Sequence, residues 1–286
     1  MQPRSWPVMR IRALRHLPAH LPGKARLARA VLRGIQPREN VVVESSSGAK
    51  FAVPHLAEPV AFHLLVNGAY EPDTQNFILR NLSEGDVLID VGANIGVFTV
   101  PAAQKVGPRG KVLAAEPSPA VFPYLAQNIL MNGLDNVVAL SVAASDQNRD
   151  GVPFYAAPSD HFGMGALAPQ FHSEPQFVRT KTLDNIVAEN AAQRIRVLKV
   201  DVEGHEIAVF RGAQDLLTSS QPPVIVFEFC DWAESRFPNV HPGMAQEFLM
   251  CLGYRICKLS EYRDGGPPLQ APLTTGSEML VAERKL

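Results

Sequence analysis

From residue 86 onward, short apolar runs alternate with longer amphipathic stretches. Apolar runs this short, bounded by Gly, Asp and Asn, read as buried strands, and the stretches between them as helices. The pattern predicts strands over 86–91, 111–116, 137–142, 195–201, 223–229, 253–259 and 277–284, with helices over 97–106, 118–132, 184–191, 205–218 and 241–252. Such alternation builds an α/β fold, a doubly wound and mostly parallel sheet of seven strands. Ser118-Pro119 gives the second helix a hydroxyl cap followed by a first-turn proline. Pro101 and Pro123 fall inside predicted helices, where each removes an amide donor. A start near Thr99 would bring Pro101 into the first turn, whereas Pro123 is expected to kink its helix.

Upstream, Lys24 to Arg33 has helical spacing, with Arg26, Arg29 and Arg33 on one face and Leu27 and Val31 on another. Asn40 to Glu44 and Lys50 to Val53 flank Ser-Ser-Ser-Gly, which reads as a hairpin. A further helix is predicted over Asp73 to Asn81. Residues 151–182 interrupt the alternation. Val152 to Ala156 and Phe177 to Thr182 suit strands, and the loop between them carries His161, Phe162, Met164, Phe171 and His172. A loop inserted after the cofactor half can reach the ligand edge of the sheet, so substrate contact is preferred for it over a surface loop without a role.

The first predicted strand ends in Asp90-Val91-Gly92-Ala93-Asn94-Ile95-Gly96. Glycine tolerates positive φ and, lacking Cβ, lets a ligand lie against the backbone. The next strand ends in Glu116, an acid well placed for the hydroxyls of a ribose. The dinucleotide fingerprint Gly-x-Gly-x-x-Gly lacks its middle glycine here, and an acid beside the loop repels phosphate. S-adenosylmethionine carries a sulfonium and an ammonium and no phosphate, so a carboxylate near the loop suits it.

Asp-Val-Gly-Ala-Asn-Ile-Gly, then Glu116-Pro117, then Asp201-Val202-Glu203-Gly204-His205-Glu206 resembles the FkbM-type S-adenosylmethionine-dependent methyltransferases, over roughly residues 68–285. The resemblance implies a class I, Rossmann-like domain over 68–286 whose last two strands form an antiparallel edge, preceded by a basic helical and hairpin extension over 1–67. It implies a cofactor site drawn from Tyr70, Glu71, Asp90, Gly92, Ala93, Asn94, Gly96, Glu116, Pro117, Ser118, Ala144, Asp146, Lys199 and Asp201. Gly68-Ala69-Tyr70-Glu71 matches a family segment that offers a lid residue, or simply a core tyrosine and a helix cap. Asp146 matches the acid that accepts from the adenine amino group. Asn94 suits a cap on the following helix, the methionine end of the cofactor, or both. The acceptor class implied is a hydroxyl of a sugar or secondary metabolite.

Methyl transfer to oxygen needs the acceptor positioned and its proton removed. Strand alternation puts Lys199, Asp201 and Glu203 on one side of their strand. Asp201 leads as the group that orients or deprotonates the acceptor, followed by Glu203. His205 has a suitable intrinsic pKa but is expected on the solvent side of a helix start. The bland alternative is an ion pair with Lys199 plus a carboxylate favouring the next helix N-terminus. Glu228 could join Asp201 and Glu203 around a cation, but no metal is expected to be required.

Charge sharpens the picture. The 286 residues carry a net charge of −1, yet residues 1–38 hold nine Lys/Arg and no acid, leaving the remainder at −10. An acidic body is a poor non-specific nucleic-acid partner. The basic start reads either as a helix packed on the domain with a solvated face, preferred because its apolar stripe is narrow, or as a transit sequence or weak membrane-surface anchor. Three cysteines without a CxxC fit a reducing, cytoplasmic setting and neither a disulfide framework nor a zinc site. No apolar run suits a membrane span. Two other functions share these features: a nicotinamide oxidoreductase and a non-catalytic cofactor-binding protein.

Overall fold

The computed structural model describes residues 24–32, 41–56, 58–158, 161–171, 174–262 and 266–284. The remaining N-terminal residues, 1–23 and 33–40, lie outside the described residues, as does His172. In chain order the elements are α1 (Lys24–Leu32), β1 (Val41–Glu44), β2 (Lys50–Val53), α2 (Pro59–Asn67), α3 (Pro72–Asn81), β3 (Val87–Val91), α4 (Thr99–Val106), β4 (Lys111–Ala115), α5 (Phe122–Met131) and β5 (Val137–Leu140). There follow β6 (Ala143–Ala144), β7 (Arg149–Phe154), β8 (Gln176–Lys181), α6 (Leu183–Glu189), β9 (Ile195–Val200), α7 (Glu206–Arg211) and α8 (Gln214–Thr218). The chain closes with β10 (Val224–Cys230), α9 (Asp231–Glu234), α10 (Met244–Cys251), β11 (Arg255–Lys258) and β12 (Ser277–Glu283).

Seven strands form one sheet in the order β11-β12-β10-β9-β3-β4-β5. The five from β10 to β5 are parallel, and β12 runs antiparallel to both of its neighbours. Strand order reverses between β3 and β9, so a crevice opens at their carboxyl ends. Successive side chains leave opposite faces. Leu88, Val112, Val197 and Val226 pack into a core with α2, α4 and α5, while Ile89, Leu113, Leu198 and Phe227 pack into one with α7, α8 and α10.

Some expectations need correction. The helix expected over 118–132 starts at Phe122, and Pro123 sits in its first turn without kinking it. Ser118 caps the turn before it: its carbonyl accepts from Phe122 N at 2.9 Å. Pro101 is the third residue of α4, as a start at Thr99 requires. The helix expected over 205–218 is two helices broken at Gly212, where a Cβ would lie 2.0 Å from the carbonyl oxygen of Ser145. Strands over 149–154 and 176–181 join Ala143–Ala144 in a second sheet, ordered β6-β8-β7. On α1, Leu27 of the expected apolar face is not buried. It is 54% exposed, while Ala28 is fully buried and Arg29 lies over the Phe62 ring at 5.4 Å. Helix α2 had no counterpart in the sequence pattern.

The hairpin β1–β2 lies against α5 through two asparagines one turn apart. Asn128 Oδ1 accepts from Ala52 N at 2.6 Å and its Nδ2 donates to Ala52 O at 3.2 Å. Asn132 pairs in the same way with Lys50 N at 3.0 Å and Lys50 O at 2.7 Å. Lys50 and Ala52 are the alternate residues whose backbone groups face away from β1, so the two amides stand in for a neighbouring strand.

Candidate active site

The floor of the crevice is the turn after β3. Gly92 has φ +73, and a Cβ there would lie 1.8 Å from the carbonyl oxygen of Asp201, so only hydrogen fits. Gly92 N and Ala93 N both donate to Ala115 O at 3.0 Å, which ties the turn to the end of β4. Asn94 follows at φ +51, a conformation its short amide tolerates. Its Oδ1 accepts from Ile95 N at 2.7 Å. Asn94 therefore does not cap α4, which begins five residues later with Phe98 at its N-cap.

Glu116 lines the crevice beside this turn. Its two carboxyl oxygens accept one amide each, Asn94 N and Ser118 N, both at 2.9 Å. Each oxygen keeps a lone pair for a further donor. Burial raises its pKa to about 7 against the pull of those two amides. Pro117 and Ala144 line the same cleft of about 220 Å³. Asp90, Gly96, Ser118 and Asp146 are not among its lining residues. Asp90 is fully buried under the turn, where it accepts from Thr99 Oγ1 at 2.6 Å and meets Lys199 at 3.5 Å. Asp146 is exposed and takes a 3.3 Å bond from Ser145 Oγ.

The opposite wall is acidic. Lys199, 1% exposed, bridges Asp90 and, at 3.3 Å, Asp201, and donates to Gly92 O at 2.9 Å. Its ammonium also sits 5.2 Å over the Phe98 ring. Burial alone would lower its pKa, but Asp201, Asp90 and Glu71 together raise it, so Lys199 stays charged. Around it the cleft is lined by Glu71, Asp201, Glu203 and Glu228. Burial, then the charge of Asp201, raises Glu203 to about 7. The same two causes, followed by Glu203, Glu206 and Glu71, raise Glu228 to about 10. Glu71 is raised by burial and Asp201, and Tyr70 beside it by burial and Glu71.

His205 is not on the solvent side. It lines the cleft, bonds Ser145 Oγ through Nε2 at 3.0 Å and packs on Phe237 at 5.1 Å. Burial lowers its pKa to about 4, so the ring is neutral near pH 7. Glu206 belongs to the first turn of α7, where Oε1 accepts from Val202 N at 3.1 Å and Gly204 N at 3.4 Å.

Residues 161–167 roof the cleft, pinned by the Tyr155–Ala166 backbone pair. A Cβ on Gly163 would lie 2.1 Å from Asn94 Nδ2, so the roof rests on the turn beneath it. Glu58, the buried N-cap of α2, is a wall residue missed among the sequence expectations. Its signal was available: an acid followed by Pro59 at the first helical position.

The donor set fits a nucleoside bearing positive charge. Glu116 offers lone pairs to hydroxyl donors, carboxylates outnumber the one ammonium, and the turn lacks the glycine a pyrophosphate would need. Among the described residues no His, Cys, Asp and Glu group has metal-binding geometry, and no helix is long and apolar enough to cross a membrane.

The hexuronic acid methyltransferase of Haloferax volcanii is 30% identical over 52% of this chain and 59% of its own length. The chain thus spans about three fifths of that relative. Methyltransferase 1 of Beauveria bassiana is 28% identical over 71% of this chain and 83% of its own length. The 31-O-demethyl-FK506 methyltransferase of Streptomyces tacrolimicus is 26% identical over 47% and 62%. The family model described as the methyltransferase FkbM domain matches residues 90–256, from the last buried acid of β3 to the middle of β11. The chain belongs to this FkbM family of methyltransferases, whose cofactor is S-adenosylmethionine.

Proposed function

We propose that the protein methylates a hydroxyl oxygen of a small sugar or secondary metabolite, with S-adenosylmethionine as donor. The observation that carries this is the juxtaposition of Glu116, beside the glycine turn, with the acidic wall at the ends of β9 and β10. The bound cofactor supplies an electrophilic methyl group. Glu116 accepts from the ribose hydroxyls, and Asp146 from the adenine amino group at the rim. Lys199 is spent on Asp90 and Asp201, so it fixes Asp201 as an orienting carboxylate. Glu203, with a pKa of about 7, is the better matched proton acceptor near neutrality. Neutral His205 adds a hydrogen-bonding group to the same wall. The roof at 161–167 contacts the acceptor and excludes water. The names of the Haloferax and Streptomyces relatives, which point to hexuronic acid and 31-O-demethyl-FK506, support small-molecule acceptors.

The test has two stages. Calorimetry should find binding of S-adenosylmethionine and none of NAD. A pooled-metabolite assay with labelled donor should then find transfer to oxygen. Glu203→Gln should lose on the order of 10²–10⁴-fold in turnover with donor affinity retained, and Asp201→Asn a similar amount. In the parent, kcat at saturating donor should climb as pH rises through about 7, where Glu203 ionises, and that limb should shrink in Glu203→Gln. Preference for NAD would overturn the reading, and binding of donor without transfer to any acceptor would favour a non-catalytic role.

A further inference from the structure

We propose that Asn128 is a positioning residue for the cofactor turn, and that through it the N-terminal hairpin is a working part of the methyl-donor site. The proposal rests on the donor reading above.

The Asn128 side chain is fully buried and its hydrogen-bonding capacity is heavily committed. One Nδ2 hydrogen goes to Ala52 O, and the other to Ile95 O at 2.8 Å. Oδ1 takes Ala52 N. The amide cannot be turned over, because Ala52 N–H requires an acceptor and the two carbonyls require donors. Ile95 lies between Asn94 at φ +51 and Gly96 at φ +91, two residues in the left-handed region. A turn with two such residues costs energy and holds its shape only when neighbours over-determine it. Asn128 provides that support from one side, and Leu125, one turn earlier on the same helix face, provides it through packing. A Cβ at Gly96 would lie 3.0 Å from Leu125 Cδ1.

The hairpin completes the arrangement. Were Ala52 free to move, Asn128 would lose two of its three bonds and the fixed orientation that aims Nδ2 at Ile95. The matched region of the family begins at residue 90, yet the chain's own turn is braced by a strand some forty residues earlier. Asn132 is an internal control. It makes the same pair of bonds to the same edge, at Lys50, and its third contact is Asn128 O at 2.7 Å, not the turn.

Calorimetry on the full chain with S-adenosylmethionine tests the idea. Asn128→Ala should weaken binding about tenfold, the cost of leaving a buried carbonyl and a strained turn unsupported. Asn128→Asp keeps the acceptor but loses both donors, so it should be at least as weak. Asn132→Ala should lower Tm but leave affinity within about twofold, since it touches the hairpin and the Asn128 carbonyl but not the turn. A purely structural role predicts lower Tm but unchanged donor affinity in the folded variants at both positions. Folded Asn128→Ala binding within about twofold of the parent would sink the proposal, as would an equal loss in Asn132→Ala. If Asn128→Ala does not fold, hydrogen exchange on the unsubstituted protein decides. The donor should slow exchange at the Ala52 amide as well as at Asn94 to Gly96, and protection confined to the turn overturns the link. A parent chain that binds neither S-adenosylmethionine nor S-adenosylhomocysteine would defeat the donor reading and this proposal with it, whereas a loss seen only in the variants concerns Asn128 alone.

Discussion

The two walls of the cleft are built on different principles. On the β4 side the backbone braces the wall. Each oxygen of Glu116 holds one backbone amide and keeps a lone pair towards the cleft, and the amides of Gly92 and Ala93 share the carbonyl of Ala115. On the β9–β10 side the bracing is sparse. One ammonium serves Asp90 and Asp201, while Glu203 and Glu228 line the cleft with Asp201 as a like-charged neighbour. A wall braced by backbone is a rigid mould for a ligand of fixed shape. An open, acidic wall is unfavourable until something with donors or positive charge arrives, which is how reacting groups are kept poised. The difference is that one wall is held by backbone amides and the other by a single ammonium among carboxylates.

The comparison is broken most severely at the turn that joins the walls. Gly92→Ala sets a methyl against the carbonyl of Asp201 in a left-handed conformation, and a loss of about 3 kcal/mol is expected. Chemical denaturation should register it, along with loss of donor binding. Next comes Glu116→Ala, which should weaken donor affinity by roughly 1–3 kcal/mol while leaving the pH response of the acidic wall unaltered. Unchanged affinity in that variant would remove Glu116 from the site.

A subtler effect is read by pH. Glu206, behind the acidic wall, is raised to about 8 by burial. The folded protein therefore keeps a proton that the unfolded chain gives up at ordinary carboxyl pH, and stability falls as pH rises towards about 8. Melting temperatures measured across that range should fall in the parent and fall less steeply in Glu206→Gln, which retains the Oε1 acceptor and leaves the other raised carboxyls in place. The smallest effect is expected from removing residues 1–38. Donor affinity should hold within about twofold, because the wall begins at Glu58, while Tm drops through loss of the packing around Ala28. Loss of affinity in a folded truncated chain would extend the site into the basic segment.

The parallel sheet was legible because each of its strands is a short apolar run with a turn signal at its end. The placement of the glycine turn, Glu116, Asp201 and Glu203 at the cleft was legible for the same reason, since all follow strand ends. Helix α2 was not. Val60, Ala61, Phe62, Leu64, Leu65 and Val66 are all buried, so it is apolar on nearly every side and has no amphipathic period to detect. His205 was misjudged because a helix start says nothing about what packs against it, and Phe237 and Ser145 lie far along the chain. Asp90 drew attention as a ligand, but full burial and Thr99 make it a support beneath the turn. Asn128 was invisible for a related reason: its partners lie 33 and 76 residues away.

The two asparagines of α5 also bear on how the chain avoids its own kind. A two-stranded ribbon offers unpaired amides and carbonyls along its outer edges, a template on which a second molecule can add a strand. Asn128 and Asn132 occupy that edge of β2 with side chains that no incoming backbone can displace without burying unpaired groups. The helix thus acts as a permanent bung on a surface that would otherwise invite intermolecular pairing, and monodispersity at high concentration should depend on these two amides.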